Sequence, residues 1–104
     1  MASFENRSRA VGRILEDEAL TDDLTDDAAT FLLDWGVAQA EAIVQQTEGL
    51  PQEELDARLA TLRRTMKRVG RQAGEAVPEA QVQQVRVLLA ETEMEQDLEV
   101  EIDA

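Results

Sequence analysis

The sequence contains no cysteine and no histidine. Their absence excludes disulfide bonds, thiolate nucleophiles and the usual zinc sites, and it removes the most common general base of enzymes. Two serines, Ser3 and Ser8, have no such base to activate them, and no phosphate-binding glycine loop is present. We therefore predict no catalytic residue, no cofactor, no metal and no enzymatic activity.

Aromatic residues and lysine are scarce. Phe4, Phe31 and Trp35 are the only aromatics, so aliphatic side chains and alanines must fill the core. One lysine stands against nine arginines, and 23 acidic residues against ten basic ones give a net charge of −13. This composition has two interpretations: an acidic protein encoded by a GC-rich genome, or adaptation to a high-salt host, where an acidic surface maintains solubility.

Long hydrophobic runs are also lacking. No run approaches the roughly 20 apolar residues of a membrane-spanning helix, and the first residues lead into no apolar segment of the signal-peptide type. We expect a cytoplasmic protein without a membrane partner. A chain of 104 residues has the usual size of one domain, which we place at residues 1–96, followed by an acidic, flexible tail at residues 97–104.

Apolar periodicity predicts four helices, and we interpret the fold as all-α, a small antiparallel helical bundle. The first helix covers about residues 4–20, with Ser3 as its N-cap. The second runs from one of two candidate N-caps, Thr21 or Thr25, to about residue 47. The third and fourth cover about residues 51–74 and 78–96.

The second helix is apolar around most of its circumference, so it needs neighbours on two or three sides. We expect it to be the central helix. Trp35 lies on its core side, and we interpret it as a core residue, with an interface anchor as the alternative.

The third predicted helix has a heptad seam, because its apolar residues repeat at intervals of four and three. Gly70 within it costs about 1 kcal/mol relative to alanine, which indicates a close contact with another helix. The seam consists of Leu55, Leu59, Leu62, Met66, Val69 and Ala73.

Positive charge is concentrated on this same helix. Residues 58–71 hold six of the ten basic groups and no acidic one, whereas the rest of the chain holds four basic and 23 acidic groups. At about 100° per residue, four of the six point away from the seam and two flank it. The predicted binding residues are Arg63, Arg64, Lys67, Arg68 and Arg71; Arg58 is the sixth basic group and can pair with Glu54.

A cationic helix face has three interpretations. It can be a solvated face neutralised diffusely by an acidic molecule. It can bind an acidic protein surface or the chain's own tail. It can bind nucleic-acid phosphates, although no aromatic residue is interleaved for base stacking.

The acidic tail has an alternating pattern. Acidic residues occupy every odd position from Glu91 to Asp103, which is the period of a strand. The tail can be a frayed terminus, a segment that pairs with the sheet edge of another protein or a second copy, or a cover over the basic helix.

Two acidic features are explained more simply by helix structure and solvent contact than by metal binding or catalysis. Asp22, Asp23, Asp26 and Asp27 suit the start of a helix, and they lack the spacing of a calcium-binding loop. Glu18 falls on the apolar side of the first helix, where a buried carboxylate would be a catalytic candidate; contact with solvent or an arginine is the simpler expectation.

We therefore predict a non-enzymatic protein that binds other proteins as a regulatory adaptor, through the basic face of its third helix. The expected partner is an acidic protein surface. A nucleic-acid-associated regulator that uses the same helix to bind phosphates is the second hypothesis. A homodimer stays open, because Val87 and Met94 point away from the predicted core and need cover.

Overall fold

The computed structural model describes the backbone of residues 3–103 and the side chains of residues 8–17 and 19–94. This part of the chain is helical and contains no strand. The elements are α1 (Ser3–Glu16), a 3₁₀ turn (Glu18–Leu20), α2 (Asp26–Gln46), α3 (Gln52–Gly74), a second 3₁₀ turn (Pro78–Ala80) and α4 (Gln81–Asp103). The predicted all-α fold with four main helices is confirmed, and the antiparallel order of the helices stays a prediction.

The first predicted helix ends earlier than expected. α1 stops at Glu16, and a 3₁₀ turn follows, so the predicted continuous helix to Leu20 is wrong. The Asp17 carboxylate accepts a hydrogen bond from the Ala19 N–H, and the Asp17 carbonyl accepts one from Leu20. Aspartate often interrupts a helix in this way, because its side chain offers the backbone another acceptor. The predicted cap Ser3 and the carboxylate of Glu18 lie outside the described side chains.

α2 is the central helix, as predicted, because it contacts α1, α3 and α4. Thr25 is its N-cap: the side-chain oxygen accepts a hydrogen bond from the Ala28 N–H at 3.3 Å. Asp26 and Asp27 occupy the first turn, where their charge complements the helix dipole. The buried residues of α2 recur every fourth position: Ala28, Leu32, Gly36, Ala40 and Val44.

α3 buries every residue of the predicted heptad seam, from Leu55 to Ala73. Gly70 is buried as well, and a Cβ atom at this position would lie 2.5 Å from the backbone oxygen of Leu20. A close contact is therefore present at Gly70, but its partner is the 3₁₀ turn rather than another α-helix, which was the prediction. Because the seam faces the core, the opposite side of α3 faces solvent.

α4 packs against α2 and α3 and buries Val85, Leu89 and Thr92. Val87 and Met94 are exposed, as expected. The helix continues to Asp103 rather than ending near Gln96, so the described backbone of the tail is helical. The side chains of residues 95–104 lie outside the described part, and the flexibility of residues 97–104 stays a prediction.

The molecule is flat. Its Cα atoms extend over 44 × 34 × 16 Å. Packed helix axes lie roughly 8–10 Å apart, so the shortest dimension corresponds to two helices. A molecule only two helices thick leaves much of each helix at the surface, including the outer side of α3.

Candidate functional site

The candidate site is the solvent side of α3. Arg64, Lys67, Arg68 and Arg71 are all exposed there, and we call these four residues the basic face. The buried seam fixes their direction, because residues three and four positions apart on a helix share one side. The structure therefore places four of the five predicted binding residues together on one surface.

Arg63, the fifth predicted binding residue, has a partner within the chain. Its Nε and Nη2 atoms both donate to Oδ2 of Asp17, at 3.2 and 2.5 Å. The side chain of Asp17 is only 13% exposed and that of Arg63 is 38% exposed. This ion pair joins α3 to the residue after α1, so the guanidinium of Arg63 helps to hold these two parts of the fold together.

The same ion pair changes the titration of Asp17. The hydrogen bonds from Arg63 lower the pKa of its carboxyl below the usual value, helped by the nearby charge of Lys67 and opposed by partial burial. The Lys67 Nζ atom lies 3.8 Å from Asp17 Oδ2. Lys67 is still 46% exposed and belongs to the basic face.

Arg64, Arg68 and Arg71 have no carboxylate within 4 Å among the described side chains. Arg64 donates to the hydroxyl of Thr61 at 3.1 Å, and Arg68 donates to that of Thr92 at 3.5 Å. These bonds orient the guanidinium groups without neutralising them. The three arginines keep donors for an external anion.

Together with Gln72, the basic face lines an open depression of about 340 Å³. A guanidinium group binds a carboxylate or a phosphate with two parallel hydrogen bonds. Three arginines within two turns of one helix can hold several anionic groups that are spaced along a partner. The positive charge and the many N–H donors of this surface suit it to bind anions.

Arg58, the remaining basic residue of the segment, pairs with Glu54 as expected. The Arg58 Nε donates to a Glu54 carboxylate oxygen at 3.4 Å, one helical turn away. Both side chains are more than two-fifths exposed, so this pair adds little stability. Arg58 lies on a different side of α3 from the basic face.

A groove beside the basic face was not predicted from the sequence. It has a volume of about 400 Å³ and lies between α2 and α3, with Trp35 at one end. Trp35 is half-buried, and its Nε1 donates to the Glu93 carboxylate on α4 at 3.2 Å. Packing against the core is thus confirmed for Trp35, and its indole also lines an open surface.

The acidic features form no metal site in the described part of the chain. Among those side chains, no group of three or more carboxylates could hold a metal ion. Asp26 and Asp27 are in the first turn of α2, in agreement with the helix-start interpretation, whereas Asp22 and Asp23 lie in the turn before it. No helix of the described residues is long and apolar enough to cross a membrane.

No protein-family model, curated protein or solved structure matches the chain.

Proposed function

We propose that this chain is a non-enzymatic adaptor that binds an acidic surface of another protein through the basic face of α3. One observation supports this proposal above the others: in a chain of net charge −13, Arg64, Arg68 and Arg71 have no carboxylate partner among the described side chains. Clustered like charges repel one another, so an anionic partner that binds the basic face lowers the free energy by relieving this repulsion. In this proposal the acidic tail is a second, flexible contact. The helices form an antiparallel bundle, and the protein acts in the cytoplasm.

The structure also supports a division of roles among the predicted residues. Arg64, Lys67, Arg68 and Arg71 bind the partner, whereas Arg63 holds Asp17. A variant of Arg63 is therefore expected to act through stability, and variants of Arg64, Arg68 and Arg71 are expected to act through binding. This difference gives the experiment an internal control.

The test is affinity capture from a nuclease-treated lysate with three forms of the chain as bait. The first is the natural chain. The second changes Arg64, Arg68 and Arg71 to glutamine, which removes the charge. The third changes the same residues to lysine, which keeps the charge but removes the two-pronged geometry of arginine.

We expect a discrete protein on the natural bait, reduced recovery on the lysine form and loss on the glutamine form. Equal recovery of that protein on all three baits would refute a role for the basic face. Circular dichroism of each bait checks that the helices are intact.

A nucleic-acid-associated regulator is the second candidate, since the same arginines can bind phosphates. A −19 charge on the rest of the chain opposes the approach of a polyanion, which is why we rank it second. Material that disappears from the natural bait after nuclease treatment, with an affinity that falls steeply with salt, would replace the first proposal with this one.

A further inference from the structure

The groove between α2 and α3 is the continuation of the surface that binds α4. On α2, Phe31 lies under Arg86 of α4 at 5.3 Å, and Trp35 donates to Glu93 of α4. Gln39 and Ile43 follow at the same four-residue spacing, on the same side of α2, and they line the groove instead. Among the described side chains, one side of α2 is therefore covered by α4 in its first half and lines the groove in its second.

α3 repeats this arrangement. Arg68 donates to Thr92 of α4, and Gln72 borders the same contact with α4. Thr65, Thr61 and Arg58 continue that side toward the start of α3, and they line the groove. The two helices thus form one crevice; the described side chains of α4 occupy one part of it, and the groove lies along another part.

The walls of the groove match an amphipathic helix of acidic character. Ile43, Leu62 and the indole of Trp35 provide apolar surface, and Arg58 provides a cation at the rim. Arg64 of the basic face donates to Thr61, a residue of the groove wall, so the groove and the basic face adjoin. α4 itself is the precedent, because it presents apolar residues and the carboxylate of Glu93 to the same crevice.

We propose that the α2–α3 groove binds an acidic amphipathic helix of the partner protein, with its apolar side on Ile43 and Leu62 and its carboxylates toward Arg58 and Arg64. This inference rests on the proposed function and specifies the form of the partner. It assigns Trp35 to the binding surface as well as to the core. Helix-in-groove recognition is a recurrent mode of protein binding.

Trp35 makes the proposal directly measurable, because it is the only tryptophan of the chain. The probe is a synthetic helical peptide of about two heptads, with leucine on its apolar side and glutamate on its flanks. A matched peptide has lysine in place of each glutamate. Trp35 emission reports occupation of the groove, and the anisotropy of a dye on the peptide reports binding anywhere on the chain.

Ala57 is the position for a matched pair of variants, because it is exposed on the groove wall and its replacement leaves the core unchanged. We expect the acidic peptide to bind and to shift Trp35 emission to shorter wavelength. Ala57→Glu should weaken binding about tenfold or more, since like charges in an interface are costly, whereas Ala57→Lys of similar size should not weaken it. The lysine peptide should leave Trp35 emission unchanged, even where the acidic remainder of the chain attracts it.

Several results would overturn the inference. One is the absence of binding of the acidic peptide at about 1 mM, a concentration that would detect even a weak complex. Another is binding of the acidic peptide that does not change Trp35 emission and is equally tight for the natural chain and for Ala57→Glu. In the second case, loss of binding in the chain with Arg64, Arg68 and Arg71 changed to glutamine would show that the basic face works without the groove, so the proposed function would survive.

Two other occupants have distinct signatures, and each would also overturn the inference. If a second copy of the chain occupied the groove, Trp35 emission would depend on the concentration of the chain. The mass in solution would also be that of a dimer, and Ala57→Glu would restore the mass of a monomer. If the chain's own residues 95–104 occupied the groove, the peptide would bind only after these residues were deleted.

Discussion

At the scale of single residues, the contrast between Arg63 and its neighbours determines how the basic segment is used. Among the six cations of residues 58–71, Arg63 forms hydrogen bonds to the mostly buried carboxylate of Asp17, whereas Lys67 lies at a longer distance of 3.8 Å from it. Arg64 and Arg68 are oriented by hydroxyl groups. One part of the segment therefore stabilises the fold, and the other part is available to a partner.

The ion pair of Asp17 leads to a pH prediction. Because Arg63 lowers the pKa of Asp17 in the folded chain, the pair stabilises the fold above the unfolded pKa, and this contribution is lost as the pH falls through the folded pKa. Arg63→Gln should lower the unfolding free energy at pH 7 by about 1 kcal/mol, a value reduced for the partial exposure of Arg63. Denaturant unfolding measures it.

The difference between the natural chain and Arg63→Gln should shrink as the pH is lowered toward the acid range, where Asp17 is protonated. A difference that stays constant from pH 7 into that range would contradict the assignment. Arg71→Gln is the control, since Arg71 has no carboxylate partner among the described residues and its loss should leave stability nearly unchanged.

A second residue-scale prediction concerns two glycines in helices. Gly70→Ala should destabilise the chain by about 1–3 kcal/mol, because its new Cβ would meet the backbone oxygen of Leu20, which cannot move independently of the turn. Gly12→Ala in α1 meets no atom within 4 Å and should stabilise by up to about 1 kcal/mol. Thermal unfolding of both variants measures the difference, and equal effects would contradict the close contact at Gly70.

At the scale of helices, the start of α4 is tied to the start of α2 by one buried side chain. Gln81 accepts a hydrogen bond from the Thr25 N–H at 2.7 Å and donates one to the Ala76 carbonyl at 3.3 Å. These bonds place the beginning of α4 at the end of the α2–α3 crevice. We therefore expect the placement of α4 along the crevice to depend on this attachment.

Gln81→Leu should therefore lower the unfolding free energy by about 1–3 kcal/mol, because two backbone groups lose their partner in a buried place. Gln84→Leu, at an exposed position of the same helix, should change it by less than about 0.5 kcal/mol. Denaturant titration of both variants measures these values. If the two substitutions have the same effect, the attachment through Gln81 is not needed.

The helices themselves were predictable from local patterns, and their long-range partners were not. The seam from Leu55 to Ala73 is a property of neighbouring residues, so the sequence was sufficient for it. The local pattern offered both Thr21 and Thr25 as the cap of α2, and the structure selects Thr25. The break at Asp17 depends on a side chain that competes with the helix, and the Asp17–Arg63 pair joins residues 46 positions apart. The groove at Trp35 depends on where α4 lies, which no local periodicity specifies.

At the scale of the whole molecule, charge is unevenly distributed over a thin body. The net charge is −13, and six of the ten basic residues lie on α3, four of them on its solvent side. Self-repulsion of the acidic remainder opposes the folded state, and it also opposes association of two copies unless the basic face takes part. In the proposed function, the same distribution directs an acidic partner to the solvent side of α3.

Salt should therefore stabilise the free chain. Raising sodium chloride from about 0.05 to about 0.5 M shortens the screening length severalfold, which weakens repulsion among the acidic groups. We expect the thermal midpoint to rise in calorimetry. A midpoint that falls would mean that attractive ion pairs outweigh repulsion, against the charge distribution described above.

The central claim is that the basic face is available in the free chain and occupied by a protein in the cell extract. Arginine footprinting with phenylglyoxal, read by mass spectrometry, measures both states residue by residue. We predict that Arg64, Arg68 and Arg71 react rapidly in the purified chain and are protected in nuclease-treated lysate, while Arg63 reacts slowly in both. Equal reactivity of the three arginines in the two states, or slow reaction in the purified chain, would contradict the claim.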